Sequence, residues 1–270
     1  MKILHLDCGT MRPPGGALLN QSPALIVCHC LLIEMDSGLM LVDAGVGTAD
    51  MQDPRRLGPM RLLLNLEADI NRTAIAQVKQ LGYKAEDVRH ILITHLDLDH
   101  AGGLPDFPGA EVHVLRPEYE AAMKPASFRE KERYRRCHFA HSPRWVIHDP
   151  PGRDQWFGLP CIRDDSRLPQ EIALVPLPGH TRGHCGVAIK TADRWLLHAG
   201  DAYYHRRRMS EAGDCTPGFI AFERFAHTDH RQAMEQMRAL HQVAVSHHNE
   251  VEIFCTHDPT ELESLRQKEG

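Results

Sequence analysis

ILITHLDLDHAGGL, residues 91–104, joins an apolar run to four metal-binding groups packed into six positions: His95, Asp97, Asp99 and His100. The preceding residues VRHILITH read as a buried strand, so this polar cluster stands at the strand's end. In an extended segment alternate side chains share a face, which lets His95, Asp97 and Asp99 converge. His100 joins them where the chain turns, and Ala101-Gly102-Gly103 permits both a turn and close backbone approach. Burying two carboxylates and two imidazoles without a cation is costly. The stretch therefore reads as feeding two neighbouring metal ions, His95 and Asp97 to one, Asp99 and His100 to the other.

One loop cannot complete such a site, and three further candidates each follow an apolar strand. LVPLPGHTRGH places His180 behind a Pro-Gly turn, WLLHAGDAYY places Asp201 after Ala-Gly, and IFCTHDP places His257 at the end of its strand. Taken singly, each histidine suits a structural hydrogen bond and Asp201 a turn or helix cap. Taken together, imidazoles and carboxylates at strand ends are what a divalent-metal hydrolase needs.

The rest of the composition is that of an ordinary globular chain: 270 residues, 42% hydrophobic, 25% charged. A net charge of −5 with neutral histidines gives no reason to expect nucleic acid or anionic membrane as a partner. The opening MKILHLDCGTMRPPGG lacks a secretory apolar core, so the expected location is cytoplasmic. Eight cysteines without a C-x-x-C pair are expected as reduced, half-buried thiols. The 19 histidines exceed what packing needs and point to metal or proton chemistry.

Along the chain, 25–34 and 39–43 read as a strand pair around Met35-Asp36-Ser37-Gly38. A helix over 72–81 follows from the spacing of Ile75, Val78 and Leu81, closed by Gly82. Residues 110–115 make the next strand. The stretch 187–204 repeats the grammar of 31–47: strand, polar turn, strand, then small residues, with Asp43 and Asp201 in loosely corresponding places. A helix at about 229–241 carries Ala233, Met237 and Leu240 on one face, and VEIFCTH is the last strand. The expected architecture is α/β, one domain over 1–270 with two similar halves packed sheet against sheet. Residues 116–170 interrupt the pattern with a basic, aromatic segment. It reads either as a solvated helix with a long surface connection or as a lid inserted over a site.

These motifs resemble the metallo-β-lactamase superfamily of metallo-hydrolases, whose T-H-x-H-x-D-H-x-G-G run is matched by THLDLDHAGG except at Asp97. PGHTRGH, HAGD and CTHD follow in the family's order, and LMLVDAG resembles its early strand with a structural aspartate at Asp43. The resemblance spans nearly the whole chain and implies an αβ/βα sandwich of two mixed β-sheets flanked by helices. It implies one ion held by His95, Asp97 and His180, a second by Asp99, His100 and His257, and Asp201 bridging them. It also implies a hydroxide shared by the ions that attacks a carbonyl, with Asp99 orienting it and shuttling its proton.

Asp97 is harder and anionic where the family has histidine. That moves the expected ions from zinc toward manganese or iron, and adds negative charge that makes bound water less acidic. The flavo-diiron branch, which uses iron, resembles this in carrying a carboxylate there. It also carries a flavodoxin-like domain after the sandwich, whereas here a short tail follows His257. GDAYY resembles the group that includes N-acyl-homoserine lactone lactonases, in which a tyrosine placed as Tyr204 is here assists the substrate carbonyl. Tyr204 equally suits an ordinary half-buried tyrosine. The function expected is metal-dependent cleavage of a small lactone or carboxylic ester. An iron redox enzyme, or a hydrolase of thioesters, phosphoesters or β-lactams, is the alternative.

Overall fold

The strands expected to be buried are apolar on both faces, and the structure shows why. In this computed structural model, which describes residues 1–16, 25–150, 152–164 and 166–268, two mixed sheets pack face to face. The first has six strands in chain order: β1 (Lys2–Met11), β2 (Ile26–Met35), β3 (Gly38–Val42), β4 (Val88–Leu92), β5 (Glu111–Leu115) and β6 (Arg144–His148). β1 to β3 run antiparallel, β3 to β6 parallel. A two-stranded ribbon, β7 (Gln155–Trp156) and β8 (Leu159–Pro160), precedes the second sheet. That sheet is ordered β12 (Val251–Phe254), β11 (Trp195–His198), β10 (Cys185–Lys190), β9 (Ile172–Pro176), with β11 and β12 parallel.

Alternation sorts the side chains into three layers of core. Leu31, Ile33, Met40 and Val42 of the first sheet meet Leu174, Val187, Ile189 and Phe254 of the second. Their neighbours Cys30, Leu32, Leu39 and Leu41 face the other way, toward helices α1 (Thr48–Gln52), α2 (Met60–Leu64) and α3 (Ala74–Gln80). Beyond the second sheet, Ala188 and Leu197 pack with Met237, Leu240 and Val243. Those three lie on the long helix His230–Ser246. The result is the αβ/βα sandwich.

The internal repeat is real in topology: hairpin β2–β3, then helices, then parallel β4, is mirrored by hairpin β10–β11, then helices, then parallel β12. The remaining α-helices among the described residues are α4 (Leu98–Ala101), α5 (Arg116–Met123), α6 (Phe128–Arg133), α7 (Pro217–Ala226), α8 (His230–Ser246) and α9 (Pro259–Arg266). Among the described residues no helix is long and apolar enough to cross a membrane. Two local expectations change. Leu81 falls beyond the end of α3 and is exposed, because the helix stops at Gln80 before it can turn that position inward. The eight cysteines are free as expected, but seven are buried rather than half-buried, Cys137 excepted.

Candidate metal centre

All the strand ends that matter open on one edge of the sandwich. β4 ends at Leu92, and residues 93–97 loop into the short helix α4, so the motif is not extended throughout. The helical turn, rather than strand alternation, brings Asp99 and His100 side by side in sequence to the same centre. The glycines act by close approach: a Cβ on Gly103 would lie 2.3 Å from the Ala44 carbonyl oxygen, and Gly103 N donates to Gly45 O at 3.0 Å. Across the sandwich, Cys185 N donates to Thr94 O at 3.0 Å, tying the motif to the second sheet. Gly179 holds φ +133°, and a Cβ there would lie 2.2 Å from Ala233 N at the start of α8, so the loop carrying His180 needs glycine. His257 lies past the end of β12, which stops at Phe254, and is placed by a bond between its Nδ1 and Val27 O at 2.7 Å.

Seven side chains converge. His180 Nε2 lies 3.1 Å from His95 Nε2, 3.1 Å from Asp97 Oδ2 and 3.5 Å from Asp201 Oδ2. His95 Nε2 lies 3.4 Å from Asp97 Oδ2 and 3.9 Å from Asp201 Oδ2. The other oxygen, Asp201 Oδ1, lies 3.2 Å from His100 Nε2 and 3.1 Å from His257 Nε2, which is 3.6 Å from Asp99 Oδ2. Edges of roughly 3.3–3.5 Å are what four donors at about 2.0–2.2 Å from a tetrahedral ion present to one another. His95, Asp97 and His180 form one compact donor group, and Asp99, His100 and His257 another.

Each imidazole turns Nε2 inward and spends Nδ1 on a fixed partner. The partners are Thr94 Oγ1 for His95 (3.0 Å), Asp43 Oδ2 for His100 (2.8 Å), the Tyr204 hydroxyl for His180 (3.0 Å) and Val27 O for His257. Outer bonds of this kind set the tautomer and orientation of a ligating histidine. Asp43 sits at φ +57°, a conformation aspartate tolerates better than most, and also accepts from Thr94 N and Oγ1. His100 Nε2 and Asp201 Oδ1 are buried without a properly directed hydrogen bond, as is Asp97 Oδ1. Orphaned acceptors in a buried, acid-rich cluster fit a divalent cation.

The electrostatics divide the imidazoles: burial opposes the charged form, but Asp201 and the neighbouring carboxylates hold His100 well above, and His257 above, the usual histidine range. Burial, then Arg133, pushes His180 well below the usual histidine range, keeping it a neutral donor. Burial alone would push Asp97 up, but Arg133 and His95 hold it well below the usual carboxylate range. Burial followed by Asp201 pushes the Tyr204 hydroxyl well above its ordinary value, so it stays protonated.

Two residues escaped the sequence reading. Arg133, at the end of α6, donates from Nη1 to Asp97 Oδ2 at 2.7 Å and lies 3.0 Å from His180 Nε2. The carboxylate added at 97 is therefore paired with a cation, which offsets the extra negative charge expected from the sequence. Glu118, on α5 and wholly buried, accepts from Leu96 N (2.9 Å), Thr181 Oγ1 (2.6 Å) and Gly183 N (3.0 Å). It thereby staples the 95–97 loop to the 180–183 loop.

The centre floors a cavity of about 380 Å³. Asp97, Asp99, His180, Asp201, Tyr204 and His257 line its base, while Met60, Leu98, Phe128, Phe222 and Phe225 line its walls. Tyr204 stacks on His257 with ring planes 3° apart, whereas Tyr203 points into the opposite core and bonds Glu261.

Comparison with known proteins gives a consistent answer. Residues 24–247 match the family described as the metallo-beta-lactamase superfamily. A probable metallo-hydrolase of Mycobacterium tuberculosis is 41% identical over 261 residues, 96% of this chain and 81% of that one. An N-acyl homoserine lactonase of Bacillus thuringiensis is 26% identical, over 97% of this chain and 91% of that one. Among solved structures, an N-acyl homoserine lactone hydrolase with N-hexanoyl-L-homoserine at its catalytic metal centre superposes with a TM-score of 0.71 at 22% identity. It covers 97% of this chain and 95% of that chain.

Proposed function

This chain belongs to the metallo-beta-lactamase superfamily, and we propose that it is a metal-dependent hydrolase of small lactones or other carboxylic esters. The observation that carries the reading is the pair of donor groups joined through Asp201 at the floor of an apolar cavity. His95, Asp97 and His180 would hold one divalent ion and Asp99, His100 and His257 another, with Asp201 in reach of both groups. Bound there, zinc, manganese or iron would supply Lewis-acid activation of water and of the substrate carbonyl.

The side chains do the rest. Asp99, 9% exposed at the cavity floor, takes the proton released by the attacking water and returns it to the leaving alkoxide. Tyr204 accepts from His180 Nδ1, which leaves its own hydrogen to donate to the oxyanion developing on the carbonyl. The cavity is of a size for a small molecule, and its phenylalanine and leucine walls suit an acyl chain rather than a phosphate. Within 116–170, α6 serves as the lid, since Phe128, Arg129 and Arg133 form one wall, whereas Arg144–His148 is β6 of the first sheet. Residues 151 and 165 of this segment lie outside those described. The name of the Bacillus thuringiensis relative supports the lactone reading.

The test is a panel of lactones, aryl esters, thioesters and phosphoesters, run separately with zinc, manganese and iron. The expected result is turnover fastest on a lactone or carboxylic ester with an apolar acyl group. Phosphoester or thioester turnover exceeding that of every lactone and carboxylic ester, with each metal, overturns the reading.

A further inference from the structure

Asp97 is the departure in an otherwise matching motif, and its direct partner comes from 36 residues further along the chain. We propose that Arg133 is a positioning residue matched to Asp97, its guanidinium cancelling the charge that this carboxylate brings to the first donor group. A neutral imidazole at 97 would leave that group with three imidazoles and a share of Asp201. Asp97 adds one negative charge, and Arg133 supplies one positive charge against it. A guanidinium keeps that charge at every working pH.

The geometry fits a built pair rather than a chance surface contact. The Arg133 and Asp97 side chains are 10% and 16% exposed, and Nη1 meets Asp97 Oδ2 at 2.7 Å. The other guanidinium nitrogen, Nη2, donates to the Ala226 carbonyl at the end of α7, so the head group is held from two sides. Asp97 Oδ1 meanwhile has no hydrogen-bond partner. Arg133 thus bonds Asp97 Oδ2, the oxygen that also faces His95 and His180, and its Nη1 lies 3.0 Å from His180 Nε2. Position 97 is in this sense specified by position 133: an arginine beside a neutral ligand there would repel the ion.

The inference rests on Asp97 belonging to the first donor group, which is part of the proposed function. It is therefore tested without substrate, by zinc affinity of the metal-stripped protein in competition with a chromophoric chelator. Four proteins close a cycle: the parent, Asp97→His, Arg133→Gln and the double variant. Arg133→Gln keeps a hydrogen-bond donor and removes the charge, and Arg133→Lys keeps the charge. Charge matching predicts that Asp97→His weakens the first zinc by roughly tenfold or more beyond its effect in the Arg133→Gln background, because an unbalanced cation a few ångströms away opposes binding. Arg133→Lys should behave as the parent in the same comparison. Circular dichroism of the stripped variants checks folding, and Arg133→Met substitutes for a glutamine variant that fails it. An equal effect of Asp97→His in both backgrounds overturns the pairing, whatever the substrate panel shows. Failure of every lactone and ester, with the coupling intact, overturns the substrate reading alone.

Discussion

Asp201 stands between the two donor groups, Oδ2 3.5 Å from His180 Nε2 and Oδ1 3.2 Å from His100 Nε2, with His257 Nε2 near both oxygens at 3.1 and 3.2 Å. Its loss should therefore be felt twice. Asp201→Ala is expected to lose bound metal more completely than either His180→Ala or His257→Ala, measured by elemental analysis after dialysis. Full occupancy in the Asp201 variant would contradict the shared role. Tyr204 gives a second expectation at this scale. Tyr204→Phe keeps the ring against His257 and removes the hydroxyl, so metal content should hold while turnover falls by about two orders of magnitude. Tyr203→Phe is the control, since its hydroxyl bonds Glu261 on the far side of the second sheet. Equal activity of Tyr204→Phe and the parent on the best ester removes the tyrosine from the chemistry.

Helix α5 shows what a single buried group does for two loops. Glu118 receives three hydrogen bonds from the 96 and 181–183 segments, so Glu118→Ala strands two backbone N–H donors in a buried region. A stability loss of about 3 kcal/mol or more is expected by denaturant titration, together with weaker metal binding, because the loops bearing His95 and His180 lose their common tie. A variant with parent stability and parent affinity would show that tie to be dispensable. The same element marks the limit of sequence reading. The motif at 95–100 was legible because its donors are neighbours in the chain and sit at an apolar strand's end. The strands were legible because their alternation is repeated over several residues. Glu118 lies in RPEYEAAM and Arg133 in FREKER, where nothing local distinguishes a buried anchor from a solvated charge. What singles them out is a meeting across the fold with residues 22 and 36 positions away. Likewise the turn into α4 overrode the extended reading of 95–99, since two adjacent ligands can share a centre only if the chain coils between them.

Over the whole molecule, the histidine excess has a second use besides the centre. His5 and His29 pair between β1 and β2, and His113 and His148 between β5 and β6, at 2.7 and 2.9 Å. Burial, then His198, brings His5 down to about 4, and burial, then His148, brings His113 down to about 3. The unfolded chain takes up these protons near pH 6.5, while the fold refuses them until about 4 or below. Their contribution is thus complete above pH 6.5 and lost as pH falls through the folded values. Each histidine removes about 1.4 kcal/mol per pH unit over that window. Denaturant midpoints of the metal-stripped protein should fall steeply from pH 6.5 to 4.5, and His113→Gln should flatten the slope by about that amount. A midpoint constant across this range would refute the assignment.

The two donor groups are each split between the halves of the chain: His95 and Asp97 with His180 and Asp201, and Asp99 and His100 with His257 and Asp201. Neither half alone can present a full coordination sphere. On the proposed ligation, ion uptake would be a late event in biogenesis, waiting until both sheets have docked, and no ion could act as a template for either one. Once captured, an ion would work in reverse as a latch: prising the halves apart would require shedding it first, so the loaded protein should owe its persistence to a slow rate of opening.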